Sequence, residues 1–310
     1  MTTLRPFQNA DVPQLWQTWK AHFEAAGMAV ELTLAAFEQA IVDRLFFDPR
    51  RLLVASKEAR LVGFAHWMVL PEQTERAVIA AVCVRPGEDA AAVGEQLIAA
   101  CEAAASAAGC SVILGGNDPR FLTGYAGLSP LGPGEGIADA DRVATAWFMQ
   151  HAYSPAHRIG RYSLALAQFR PPLDRSQMQL RRTAAVSHET MLPTDPRTAA
   201  ALAHADLERF TAQSRGGQRL AWATFHLSTP EAQVFPTSQA ILADWGCDVE
   251  DDPQAAATRF TIGGALQQLQ QLGVRRVEAV ASDGQPDRAV MLRSLRFNLD
   301  GEGTVFSKRL

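Results

Sequence analysis

The stretch VIAAVCVRPGEDAAAVGEQLIAACEAAASAAGCSVILGG, Val78 to Gly116, decides the fold. Val78 to Val84 is an apolar run rich in β-branched residues, ended by Arg85-Pro86-Gly87, which cannot continue a buried strand. Glu88 to Ala108 has helical composition, and Gly109 stands where a left-handed helix stop is expected. Cys110 to Leu114 is a second apolar run, closed by Gly115-Gly116. Strand, helix and strand at this spacing make a βαβ unit, so the two strands are expected to be parallel. The chemistry then depends on what the loop between Val84 and the helix can hold.

Composition narrows the possibilities. The chain has 310 residues, enough for two domains with full cores. It is 47% apolar and 20% charged, as ordinary globular proteins are. A net charge of −4 gives no electrostatic reason to expect nucleic acid or an anionic membrane as partner. The first residues, MTTLRPFQNADVPQ, lack the apolar core of a signal peptide, and no run approaches the roughly 20 apolar residues of a spanning helix. A cytoplasmic location is the expectation. Cys83, Cys101, Cys110 and Cys247 show no metal-ligand or disulfide spacing, so no metal is expected.

Outward from the central unit, Thr2 to Phe7 reads as a short strand and Asn9 or Asp11 as the cap of a helix with Pro13 in its first turn. Val12, Leu15, Trp16, Trp19 and Phe23 form one apolar stripe on it. Leu34, Phe37, Ile41 and Leu45 mark a second helix. Arg51–Lys57 and Leu61–Leu70 read as a hairpin, and Pro71–Arg76 as a polar loop. Asp139–Tyr153 reads as a helix and Tyr162–Phe169 as a closing strand. Pro171 to Ser176 looks like a connector, which divides the chain into 1–170 and 171–310. Beyond it, 177–193 has no clean period. Arg197–Gln213 reads as a helix, Arg219–Leu227 and Gln239–Val249 as strands, Thr261–Leu272 as a helix, Val274–Ala281 as a strand, Asp287–Phe297 as a helix and Thr304–Lys308 as a strand.

The halves repeat each other. Val93-Gly94-Glu95-Gln96-Leu97 is matched by Ile262-Gly263-Gly264-Ala265-Leu266. Asp141-Arg142-Val143-Ala144 is matched by Asp287-Arg288-Ala289-Val290, and Tyr162-Ser163 by Phe306-Ser307. Each half therefore reads as an α/β (α+β) domain with a mixed sheet flanked by helices.

A helix N-terminus leaves backbone N–H groups unpaired and carries partial positive charge, so a strand feeding such a helix through small residues is a candidate cradle for a pyrophosphate. The first copy offers Asp89, Ala90, Ala91, Ala92, Val93 and Gly94; the second offers Thr258, Arg259, Phe260, Thr261, Ile262, Gly263 and Gly264. No ATP-type phosphate loop, dinucleotide fingerprint, nucleophile elbow or His-Glu-x-x-His motif occurs.

These features resemble the GNAT superfamily of N-acetyltransferases, and within it the tandem members that carry two such domains. The resemblance rests on Thr3-Leu4-Arg5-Pro6 with Asn9-Ala10-Asp11, on Val84-Arg85-Pro86, on Gly94 and Gly263 at the last glycine of the pyrophosphate loop, and on Asp283 through Asp287 to Asn298. It implies two tandem acyl-CoA N-acyltransferase-like domains and acetyl transfer from acetyl-CoA to a primary amine of a small molecule or peptide. It also implies that Cys83 and Val84, and Asp248 and Val249, at the ends of the two central strands, lie against the cofactor with the two loops, and that Asn117 meets a pantetheine amide. The chain departs from the pattern at Asp89 and Ala92 in copy one and at Thr261 in copy two. Asp89 suits a helix dipole but opposes an anion, whereas Arg259 beside two threonines suits one.

Such chemistry needs a base for the amine and an acid for the departing thiolate. The tyrosine the family often places on the fourth helix is replaced by Met149 and Ser294, leaving Tyr153 and Tyr125 as candidate acids. Either tyrosine also suits a purely packing role. His66 and Asp244 are the candidate bases; His66 equally suits a hydrogen-bonded core histidine, as does His226, and Asp244 falls among apolar residues where a buried carboxylate needs a partner. The alternative to an enzyme is a non-catalytic tandem scaffold or CoA sensor. Either a monomer with an internal pseudo-dimer or a homodimer is compatible with the duplication.

Overall fold

The computed structural model describes residues 2–87, 89–229, 234–248 and 255–310. It divides into two compact units, Met1–Ile159 with Gly301–Leu310, and Gly160–Asp300. The first begins with strand β1 (Thr3–Pro6) and a short 3-10 turn whose Asp11 carboxylate receives Arg5 and the Gln8 N–H. Helix α1 (Val12–Ala25) buries Leu15, Trp19, His22 and Phe23 along one stripe, and α2 (Leu34–Ile41), capped by Thr33, buries Phe37 and Ile41. Strands β2 (Leu52–Lys57), β3 (Arg60–Leu70) and β4 (Gln73–Val84) run antiparallel in order. The Pro71–Arg76 segment is mostly strand rather than loop, because a turn after Leu70 lets β4 start at Gln73. Helix α3 (Ala90–Ala107) crosses to β5 (Val112–Gly115), which is parallel to β4 as the spacing requires.

The short β6 (Ile137–Ala138) and helix α4 (Arg142–Gln150) follow, and β7 (Ser154–Ala165) carries the chain out of this unit. The second unit holds α5 (Arg175–Thr183), β8 (Ala184–Met191), α6 (Pro196–Ala201), β9 (Ala205–Ser214), β10 (Arg219–Ser228), β11 (Gln239–Cys247), α7 (Ala256–Gln271), β12 (Arg276–Ser282) and α8 (Pro286–Ser294). Strands β8 to β11 are antiparallel neighbours, and β11 is parallel to β12, repeating the β–α–β order of β4, α3 and β5. Arg197–Gln213 is not one helix: α6 lasts 6 residues, and Leu207 and Phe210, whose three-residue spacing mimics a helical stripe, sit in β9.

Strand β13 (Asn298–Arg309) returns the chain to the first unit, where Phe306 to Arg309 pair with Gly115 to Val112 of β5. That pairing, with Phe306 stacked on Phe148 at 5.7 Å, places 301–310 with the first unit, so a break into 1–170 and 171–310 does not describe the compact units. The Pro171–Ser176 segment is no free connector either: Asp174 caps α5 and pairs with Arg259 of α7. In the second unit, Phe210, Ala223, Phe225 and Leu242 of the sheet pack on Ile262, Ala265, Leu266 and Leu269 of α7, so one sheet face is sealed by that helix. No helix among the described residues is long and apolar enough to cross a membrane.

Candidate functional site

In each unit the parallel strands part company halfway, and the site is the edge this exposes. Strands β4 and β5 pair only from Arg76–Val112 to Ile79–Gly115; Gly116 then turns away at φ +103°, where a Cβ would lie 2.8 Å from the Ile137 nitrogen. Ala80 to Val84 therefore have no β5 beside them. The Arg85 N–H donates to Val62 of β3, so by strand alternation the N–H and C=O of Val84 face the open side.

His22 occupies that edge. Its Nδ1 lies 3.4 Å from the Val84 nitrogen and 3.3 Å from the Val84 oxygen, and its Nε2 lies 2.9 Å from Oδ2 of Asp141. Asp141 in turn caps α4 by accepting from the Ala144 N–H. His22 and Asp141 are each 5% and 3% exposed, so the pair is closed to solvent. The Trp147 ring stacks on His22 at 5.9 Å and also lies over Gly94, where a Cβ would come within 2.2 Å of the ring. Phe148 treats Gly115 the same way. Copy one thus fills its split with its own histidine and tryptophan.

The expected residues of copy one fall around this plug. Asp89, Ala91 and Ala92 are exposed at the start of α3 and Ala90 is partly so, whereas Val93 and Gly94 are buried. The Asp89 carboxylate pairs with Lys57 at 2.5 Å, which holds it below its usual range. Cys83 is buried, and burial, with Asp141 nearby, pushes its thiol well up. His66 accepts or donates at 2.9 Å to the Tyr125 hydroxyl; both are buried, and burial lowers the His66 pKa to about 3 and raises that of Tyr125. Tyr125 stacks on Trp19, so the His66–Tyr125 pair is part of the core beneath β3 and β4. Tyr153 is buried against Phe148 on the α3 side, where burial and Glu102 raise its pKa; it does not join Tyr125 or His66. Asn117 accepts from the Thr123 hydroxyl and bridges Gly136, so it anchors the loop, with its Nδ2 unpaired among the described residues.

Copy two arranges the same edge differently. Strands β11 and β12 pair only as far as Leu242–Ala279. A register shift at Thr224/Phe225 leaves Ala243 unopposed and sets Asp244 opposite Thr224. The Trp245 N–H on the open edge donates to Oδ1 of Asp244 at 2.9 Å. Arg288 of α8 reaches across: its Nη1 meets the same oxygen at 2.8 Å, its Nη2 the Ala243 carbonyl at 3.4 Å, and its guanidinium lies 3.7 Å over the Trp245 ring. Asp244 is not a buried carboxylate; its side chain is 56% exposed, because the strand edge is open.

The second set of loop residues is not a loop. Thr258, Arg259, Phe260, Thr261, Ile262, Gly263 and Gly264 lie inside α7, whose helical pattern begins earlier than Thr261. Thr258, Thr261, Ile262 and Gly263 are buried, Thr261 donates to the Ala257 carbonyl, and a Cβ would lie 3.2 Å from Pro171 at Gly263 and 2.9 Å from Val186 at Gly264, closer than van der Waals contact. Arg259 is committed to Asp174 at 2.5 Å. Asp248 pairs with Arg219, while Val249 and the acidic run after it lie outside the described residues. Ser294 donates to the Met291 carbonyl and Met149 is 60% exposed. His226, on β10, has its pKa lowered to about 4 by burial. Among the described residues no group of three or more His, Cys, Asp or Glu is placed to hold a metal.

Sequence reading does not single out His22, Asp141, Trp147 or Arg288. The repeated Asp-Arg pair at 141–142 and 287–288 is the available signal: it marks the duplication, and Asp141 in one copy holds the histidine that occupies the strand edge while Arg288 in the other reaches that edge itself.

A copy-one path for CoA does not fit these residues, since Trp147 lies against Gly94 and His22 against Val84. In copy two the strand edge carries no such plug among the described residues, and Asp244 on it is exposed.

Residues 13–120 match the family model for acetyltransferase (GNAT). No curated protein matches the sequence. Among solved structures, a tandem GNAT protein from the clavulanic acid biosynthesis pathway covers 100% of the chain and is covered to 98%, with TM-score 0.70 and 14% identity. A GCN5-related N-acetyltransferase from Sphaerobacter thermophilus covers 99% and is covered to 95%, with TM-score 0.67 and 13% identity. The Saccharomyces cerevisiae N-myristoyltransferase, solved with myristoyl-CoA, covers 99% and is covered to 79%, with TM-score 0.60 and 11% identity. The chain therefore has the fold of tandem GNAT proteins, and its residues 13–120 match the GNAT acetyltransferase family model.

Proposed function

We propose that the protein is a CoA-dependent N-acyltransferase, transferring acetyl from acetyl-CoA to a primary amine, and that it works from copy two. The observation that carries this reading is the contrast between the two splits: Trp147 and His22 close the first, whereas Asp244 is 56% exposed on the edge of the second. The pantetheine arm would run along the β11 edge, offering amide partners to the Ala243 carbonyl and the Trp245 N–H in place of Arg288 and Asp244. The N-terminus of α7 and the released Arg288 supply positive potential for its phosphates.

In this chemistry the amine nitrogen forms a bond to the acyl carbon as the carbon–sulfur bond breaks. Asp244, directly or through water, takes the amine proton. Ser294 is turned back onto Met291, so water protonates the thiolate.

A CoA-binding protein without catalysis is the second reading, favoured by the exposed Met149 and the tied Ser294 where an acid is expected. Calorimetric titration with acetyl-CoA, followed by thiol release with a panel of amines, decides between them. We expect one site per chain, lost in Arg288→Glu, and thiol release that requires an amine. Binding without release supports the second reading; no heat at millimolar acetyl-CoA removes both.

A further inference from the structure

The face of the second unit's sheet turned away from α7 carries polar groups that lack partners among the described residues. Register places Arg209 of β9, Thr224 of β10 and Asp244 of β11 directly opposite one another in a single row. Phe210, Ala223 and Phe225 point into the core against α7, so by strand alternation Arg209 and Thr224 point to the other face.

Arg209 is half-buried, yet its guanidinium makes no hydrogen bond or ion pair among the described residues. It lies 4.8 Å over the Trp222 ring, and its Nε is shut off from solvent and unsatisfied. The Thr224 hydroxyl beside it is likewise buried and without a hydrogen-bond partner among the described residues. Glu208, the nearest acid in sequence, projects to the opposite face and is taken by His188 and Thr190. Next along β10, His226 also has no hydrogen-bond partner among the described residues. A buried donor left unpaired costs on the order of 1–3 kcal/mol, more when charged. Two on adjacent strands, without acceptors among the described residues, mark a place suited to a ligand that brings the acceptors.

The charge order of the row says what that is. Arg209 and Thr224 present donors at one end. Asp244 lies at the other end, its Oδ1 used by Arg288 and the Trp245 N–H, its Oδ2 without a partner among the described residues. Strands lie about 4.8 Å apart, so the row spans about 10 Å. That arrangement suits a small molecule with an anionic group and an amine a few bonds apart.

We propose that this row is the acceptor site of copy two and that the acceptor is an amino-acid-type zwitterion. Its carboxylate sits on Arg209 and Thr224 against the Trp222 ring, and its amine sits at Asp244 beside the open β11 edge. A guanidinium with an aromatic wall binds a carboxylate in a fixed plane. The site rests on the acyltransferase reading for its role as acceptor site, but its ligand chemistry does not.

The test compares 4-aminobutyrate with butylamine, which share a chain and differ in the carboxylate. Thiol release from acetyl-CoA is followed for both, and binding of each is measured by calorimetry without acetyl-CoA. We expect a KM at least tenfold lower for 4-aminobutyrate, and binding of 4-aminobutyrate alone that Arg209→Met abolishes while Thr224→Val weakens it severalfold. Methionine keeps the apolar contact with Trp222, and a melting curve confirms that each variant is folded. Binding that depends on Arg209 without thiol release keeps the zwitterion site and removes the acyltransferase reading. Equal KM values for the two amines, together with no Arg209-dependent binding, overturn the site and leave the acyltransferase reading standing.

Discussion

Gly94 has no side chain, and the Trp147 ring uses the space, lying where a Cβ would be 2.2 Å away. Ala is the better helix former by about 1 kcal/mol, yet Gly94→Ala forces the ring out of a packed site, which typically costs 1–3 kcal/mol. We expect Gly94→Ala to lower the melting temperature, with Trp147→Leu in the same chain recovering much of the loss. His66 sets a pH dependence. Burial keeps it neutral down to about 3, whereas an unfolded histidine titrates near 6.5. As pH falls below 6.5 the unfolded chain binds a proton that the folded chain refuses, so stability falls by about 1.4 kcal/mol per pH unit for this residue. His226, lowered to about 4, acts in the same direction. Urea midpoints measured at pH 7, 6 and 5 should drop progressively, and His66→Gln, which retains a partner for Tyr125 but does not titrate, should flatten the slope; an unchanged slope would contradict the buried neutral state. Burial of this kind is only half legible in sequence. His66 sits in an apolar run that announces a core strand, but its partner Tyr125 is 59 positions away.

At the scale of elements, α4 depends on one carboxylate. Asp141 accepts from the Ala144 N–H at the helix start and from His22 across 119 positions. Asp141→Ala removes the cap and leaves His22 buried without its partner, for an expected loss of about 3–5 kcal/mol. Asp141→Asn keeps an acceptor oxygen for the Ala144 N–H and places its NH2 at His22 Nε2, which accepts once the imidazole takes the other tautomer, so it should lose much less; equal losses in chemical denaturation would mean that the pair does not hold α4. The βαβ units were legible because apolar runs of strand length flank a long Ala-rich or Gln-rich helix with a glycine stop at Gly109 or Gly273. Strand β9 was not, because Ala-rich α6 leads into Leu207 and Phe210 at a spacing that suits a helix. The sheet surroundings decide that segment, with β8 and β10 pairing on either side. The site was legible only as far as the strand ends. Register placed Asp244 opposite Thr224 through a bulge that no periodicity reveals, and it put Thr258 to Gly264 inside a helix that starts at Ala256.

For the whole molecule, the path of the chain matters more than the count of its elements. The first unit is made of Met1–Ile159 and Gly301–Leu310, and β13 supplies the partner of β5 and the ring that stacks on Phe148. Ending the chain after Asp300 should therefore unfold the neighbourhood of β5 and α4, although the cut lies far from both in sequence. Hydrogen exchange at Ile113 and Leu114 would report it as lost protection, with the second unit's β10 still protected; retained protection at β5 would show that the strand is dispensable.

The same path fixes a timetable during synthesis. A ribosome adds roughly 5–20 residues per second, and domains ordinarily fold in the order in which they emerge. Here the unit that begins first cannot be finished until residues 301–310 emerge, after all of the second unit. For the time taken to make Gly160 to Asp300, the nascent chain carries β5 with an unpaired edge, which is a template for pairing with other chains. The protein must therefore pass through an interval of exposure on every round of translation, and its yield in a cell should depend on chaperone capacity more than its final stability would suggest.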